Sequence, residues 1–116
     1  MDGARALVQA LSLYRRERLI LCLGMLEDKE REKVVNLLTP LADEVVITRP
    51  DSPRAGDWKA LGSLAEQRGK TVTCIEDPRE AAVFAFSRLR ENDMLCVTGS
   101  LYMLADARQA LIEKLS

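Results

Sequence analysis

Leu19-Ile20-Leu21-Cys22-Leu23-Gly24 is a run of five apolar residues closed by a glycine. It shows no alternation of apolar and polar positions. A strand with one face in water alternates, whereas a short unbroken apolar run suits a strand covered on both faces, as in a parallel sheet. The same kind of segment recurs along the chain. Val45-Val46-Ile47-Thr48 is β-branched throughout and predicts a second strand. Thr71-Val72-Thr73-Cys74-Ile75 predicts a third and Met94-Leu95-Cys96-Val97 a fourth.

Helical periodicity fills the intervals. Ala6, Leu7, Ala10, Leu11 and Tyr14 recur at helical spacing, with Asp2 as N-cap. Val34, Leu37, Leu38 and Leu41 give the next helix, stopped or kinked by Pro40. Asp57 is placed to cap a helix carrying Trp58, Leu61, Leu64 and Ala65, and Gly69 stands where a helix-terminating glycine belongs. Asp77-Pro78-Arg79-Glu80 opens another helix with a cap, a proline at the first position and an acid at the third, and Ala82, Val83, Phe86 and Leu89 are its expected inner face. Gly99-Ser100 caps the last, with Leu104, Ala107, Leu111 and Ile112 on one stripe. The order α(βα)₄ predicts a three-layer α/β/α fold, a mainly parallel four-stranded sheet with helices on both faces and right-handed crossovers.

The 116 residues form a single domain, 1–116, without linker or repeat. Seventeen basic residues against 18 acidic leave a net charge of −1, which is not the footprint of a general nucleic-acid binder. There is no histidine, which excludes Ser-His-Asp or Cys-His catalysis within the chain and His-ligated zinc. Cys22, Cys74 and Cys96 each lie in an apolar run and none forms a C-x-x-C pair, so they read as small buried hydrophobes in a reduced protein. No secretory h-region and no apolar run of about 20 residues is present, so a cytoplasmic protein free of membrane and nucleic acid is expected.

In open parallel sheets, ligands bind beyond the carboxyl ends of the strands at a topological switch point. That rule selects four loops: 24–30, 49–57, 76–77 and 98–100. In the first, Asp28 and Lys29 follow the glycine. A cation near a helix N-terminus is opposed by the helix dipole, so Lys29 either helps hold an anion or is one of several solvated cations beside Arg31 and Lys33. In the second, Pro50 and Pro53 stiffen a segment that bears Arg49 and Arg54, residues suited to bidentate carboxylate or phosphate recognition; a plain connector is the competing reading. In the fourth, Gly99 lets a ligand approach the main chain and Ser100 offers a hydroxyl at a helix start, or simply caps it. Gly62 to Gly69-Lys70-Thr71 ends like a phosphate loop. Its glycines are too far apart, and it runs from helix to strand rather than strand to helix, so it is a helix stop.

Together the loops resemble one family. Leu21-Cys22-Leu23-Gly24-Met25-Leu26-Glu27-Asp28-Lys29-Glu30 is similar to the G-M-L-x-D-K-D segment of folylpolyglutamate synthase/dihydrofolate synthase. Val46-Ile47-Thr48-Arg49-Pro50-Asp51-Ser52-Pro53-Arg54-Ala55 resembles its T-R-P-x-S-P-R-A loop, and Val97-Thr98-Gly99-Ser100-Leu101-Tyr102 its V-T-G-S-L-Y signature. The order and spacing also agree. The family lies in the Mur ligase superfamily, and the likeness is to its smaller, Rossmann-like C-terminal domain, which implies strand order 4-1-2-3. Gly3-Ala4-Arg5-Ala6-Leu7 matches the continuation of the family's D-G-A-H-N-P motif. That motif's strand and the N-terminal ATPase domain are therefore expected to be absent, and the fragment inactive by itself.

The resemblance implies an ATP- and Mg²⁺-dependent ligation of L-glutamate to folate or dihydropteroate through an acyl phosphate, with no cofactor bound to this fragment. It makes Lys29 the candidate catalytic residue, and Ser100, Arg54 and Lys29 the glutamate-binding set. Asp28, Arg49 and Tyr102 are supporting positions, and no metal ligand is implied here. The partners implied are L-glutamate, folate and the parent chain's ATPase domain. The alternative is a non-catalytic interaction module whose exposed sheet edge pairs with another chain, as in an edge-strand dimer. A phospho-receiver domain shares the fold class, but it needs an acidic cluster where Lys29 stands.

Overall fold

In the computed structural model, β1 (Leu19–Gly24) is buried at every one of its six residues. The structure describes Gln9 and residues 17–26, 31–50, 52–99 and 101–115, the side chains of 101–106 and 115 excepted. Of the first expected helix, Asp2, Ala6, Leu7, Ala10, Leu11 and Tyr14 lie outside these residues. The main-chain N–H and C=O groups of so buried a strand require hydrogen-bonding neighbours on both edges. It pairs in parallel with β2 (Glu44–Thr48) on one side and β4 (Met94–Gly99) on the other. β2 pairs in parallel with β3 (Thr71–Ile75). The order β3-β2-β1-β4 is the implied 4-1-2-3 order read from the opposite edge.

Successive strand residues point to opposite faces, and this sorts the core into two layers. Leu19, Leu21, Leu23, Val45 and Ile47 pack against α1 (Arg31–Leu38) and α2 (Ala60–Gln67) through Val35, Leu38, Leu61 and Ala65, with Trp58 beside them. Ile20, Cys22 and Val46 pack against α3 (Pro78–Ser87) and α4 (Leu101–Leu115) through Ala81, Ala82, Ala85 and Ala107. The unbroken apolar run is thus shared between two cores.

Several expectations shift in detail. The helix after β1 ends at Leu38, and Pro40 lies within a short 3₁₀ turn, Thr39–Leu41. The Asp57 region opens with a turn instead of a helix, and α2 starts at Ala60, after the Asp57 carbonyl has accepted the Ala60 N–H at 3.2 Å. Trp58 is therefore a buried residue of the turn. The Asp77 cap holds: its Oδ1 accepts the Arg79 N–H at 3.0 Å. The buried face of α3 is Ala81, Ala82 and Ala85, while Val83 and Phe86 are only half-buried, because alanines allow α3 and α4 to approach closely. On α4, Ala110 is buried in place of Ile112, which is exposed. Gly69 ends α2 at φ +79°, as its position suggests. Cys22 and Cys96 are buried, and burial pushes the Cys22 thiol up to about 12. Cys74 is exposed, because β3 is an edge strand, so the expectation of a buried residue fails there.

The amino ends of β1, β2 and β4 are tied by charge. Arg18 donates to Asp93 Oδ2 from Nε and Nη2 at 3.1 and 2.9 Å, and to Glu44 Oε2 at 3.1 Å. Arg88 reaches Glu44 Oε1 at 3.1 Å. Asp93 also accepts the Arg90 main-chain N–H at 2.9 Å, and this bond, with Arg18, holds its carboxyl below the usual carboxylate range. A depressed carboxyl stabilises the fold above its unfolded pKa, and that contribution is lost as pH falls through the folded value. Asp93→Asn is expected to melt below the parent at neutral pH. The two melting curves should converge as acidity passes below about pH 4, which thermal unfolding across pH will check.

Candidate functional site

Because all four strands run parallel, their carboxyl ends and the loops that leave them lie at one end of the sheet. Chain direction diverges between β1 and β4. After β1 the chain passes to the α1 and α2 face, and α4 after β4 lies on the opposite face. That divergence opens a crevice at the strand ends. Its floor is formed by the register pair Gly24 and Gly99. Gly99 has φ +130°, and a Cβ there would lie 1.9 Å from the Gly24 carbonyl oxygen. The floor is therefore bare main chain, as close approach by a ligand needs.

The loop after β2 is held rigidly beside this floor. Thr48, fully buried, donates its hydroxyl to the Glu76 carbonyl at 3.1 Å, and the Arg49 N–H donates to the same oxygen at 3.2 Å. Ser52 is also buried, and its hydroxyl accepts the Arg54 N–H at 3.2 Å, opening the 3₁₀ turn Pro53–Ala55. Pro53 occupies the first position of that turn, where its fixed φ suits the geometry. Arg54 is exposed and Arg49 half-buried, and neither guanidinium has a hydrogen-bond partner among the described residues. Two cations on a stiff loop are suited to receive an anion.

From sequence alone Arg31 reads as one of several solvated cations. In the structure it is buried at 8% exposure. Its Nε donates to the Leu26 carbonyl at 3.0 Å and Nη1 to the Asp57 carbonyl at 2.8 Å. Its Nη2 donates to the carbonyls of Met25 and Ala55 at 3.0 and 2.8 Å. No periodicity marks this role, because two of its acceptors, Ala55 and Asp57, lie on a loop far along the chain.

Of the residues assigned from sequence, Lys29, Asp28 and Ser100 lie outside the described residues, and Tyr102 lies in α4 with its side chain outside them. Arg49 and Arg54 share the β2–α2 loop. Among the described residues no group of three or more Cys, Asp or Glu side chains could hold a metal ion. No described helix is long and apolar enough to cross a membrane.

Residues 1–101 match the family described as Mur ligase, glutamate ligase domain. The chain belongs to that family. The dihydrofolate synthase/folylpolyglutamate synthase of Bacillus subtilis is 27% identical over 111 residues, covering 95% of this chain and 25% of that protein. Among solved structures, the folylpolyglutamate synthase of Thermotoga maritima is similar at 36% identity and TM-score 0.77, over 97% of this chain and 26% of that one. The Mycobacterium tuberculosis folylpolyglutamate synthase complexed with ADP and AMPPCP is similar at 30% identity and TM-score 0.77, over 95% and 27%. The resemblance drawn from the three loop segments therefore holds, in fold as in family. The glutamate ligase domain spans about a quarter of the length of the relatives it matches.

The Gly24–Gly99 contact gives a direct test of this geometry. Gly99→Ala is expected to destabilise the domain by more than about 3 kcal/mol, since the methyl group meets main chain and the backbone is left-handed. Urea unfolding measures it, and a midpoint equal to that of the parent would refute the contact.

Proposed function

We propose that this domain supplies the amino-acid side of an ATP-dependent ligase that joins L-glutamate to folate or dihydropteroate. Family membership supports the reaction class, and the observation that carries the assignment to this end of the sheet is the stiff Arg54 loop beside a glycine-floored crevice. In this reading the parent chain's N-terminal ATPase domain binds ATP and Mg²⁺ and activates the folate carboxylate. The domain described here, residues 1–116, turns over nothing alone. Nucleotide in the M. tuberculosis relative is consistent with that division.

The glutamate amine attacks an acyl carbon whose leaving group is phosphate, so the domain's task is orientation and charge stabilisation rather than proton abstraction by histidine. Arg54 receives a glutamate carboxylate, Ser100 hydrogen-bonds the same molecule, and Lys29 faces the developing negative charge. Arg49, Asp28 and Tyr102 hold these groups in place. The crevice closes on the ATPase domain when both substrates are present.

The test is amide NMR on this chain with L-glutamate up to ~10 mM, enough to saturate a site of about 1 mM dissociation constant. Shifts are expected at Gly24, Gly99 and 52–56. Arg54→Ala should weaken binding roughly ten-fold or more through loss of a charge-assisted pair. No shift, or equal shifts with L-lysine, would count against the assignment.

The interaction-module reading draws its support from β4, whose outer edge has no partner strand among the described residues. Its expected outcome is a dimer in analytical ultracentrifugation at high concentration, and a strict monomer would remove it.

A further inference from the structure

Arg31 breaks a local rule: it buries a cation, which is costly unless the charge finds hydrogen-bonding partners. The compensation is four hydrogen bonds, engaging four of the guanidinium's five N–H groups, all ending on main-chain carbonyls. Their distribution is the informative part. Met25 and Leu26 directly follow Gly24 and lead toward Lys29. Ala55 directly follows Arg54, and Asp57 lies two residues further on. One planar side chain therefore joins the two segments that carry the candidate cations. An ammonium group cannot substitute, because its three tetrahedral donors cannot serve four carbonyls arranged around a planar fork.

Arg54 is thereby held from two directions. Its own N–H is fastened to the Ser52 hydroxyl, and the next residue's carbonyl is fastened to Arg31. Trp58, the chain's single tryptophan, follows Asp57 and is 8% exposed, so it reports on this junction.

We propose that Arg31 is a positioning residue that locks the main chain after β1, at Met25 and Leu26, to the β2–α2 loop at Ala55 and Asp57, fixing Arg54 in place before a carboxylate ligand arrives. The ligand assigned to it rests on the glutamate reading given above, whereas the locking itself does not.

The experiment compares Arg31→Met and Arg31→Lys with the parent chain by segment-resolved hydrogen exchange, acrylamide quenching of Trp58 and L-glutamate titration. Exchange in 25–31 and in 52–58 is expected to quicken together, by roughly ten-fold or more, while β1, α3 and α4 keep their rates. Arg31→Lys should resemble Arg31→Met despite its charge, and it carries the comparison where the methionine variant fails to fold. Glutamate affinity should fall roughly ten-fold, and Arg54→Ala should add little in the Arg31→Met background, a non-additivity that loss of stability alone does not produce. Unchanged loop exchange, loosening of one loop alone, or a uniform rise across the sheet would overturn the proposal. Joint loosening in a chain that binds no glutamate would uphold the lock and remove the glutamate reading.

Discussion

A strand that is apolar at every side chain cannot face water on either side or stand at an edge without cost. Leu19 to Leu23 impose that constraint, and the architecture follows from it. Partners are needed on both edges, which β2 and β4 supply, and helices on both faces, which α1 and α2, then α3 and α4, supply. Parallel pairing follows from the helical crossovers, and it gathers every strand-to-helix loop at one end. The location of the candidate site is thus a consequence of how β1 is buried.

The two ends of the sheet carry different chemistry. At the amino ends, Arg18, Glu44, Arg88 and Asp93 neutralise one another and knit three strands. At the carboxyl ends Arg49 and Arg54 have no such partners among the described residues, and Gly24 and Gly99 withhold side chains where strands meet. Satisfied charge serves stability, and charge left without an internal partner is available to a ligand. Arg31 lies between these cases: four of its five N–H groups are bonded, but to the carbonyls of the loops it joins, so its bonding is structural and its consequence is positional.

Much of this was legible in residue order. Unbroken apolar runs marked the strands, and helical spacing with caps such as Asp77-Pro78 marked the helices. The proline-bounded arginines marked a stiff loop. What escaped depended on neighbours far along the chain. Periodicity on α3 suggested Val83 and Phe86 as core, yet Ala81 and Ala85 face inward because α4 lies so close that only alanine fits. Cys74 sits in an apolar run and reads as buried, but β3 is an edge and leaves it exposed. Asp57 looks like a side-chain cap, whereas its carbonyl receives both Ala60 and Arg31.

The amino-acid sequence by itself determined the fold class, the strand order through family likeness, and the loops in which function must lie, because hydrophobic period and turn chemistry are local properties. Only the tertiary structure decided that Gly24 and Gly99 touch, and that a buried guanidinium joins its own end of the β1–α1 connection to carbonyls 24 and 26 residues further along the chain. Those facts arise from long-range packing, where a buried charge must find acceptors wherever the chain happens to bring them.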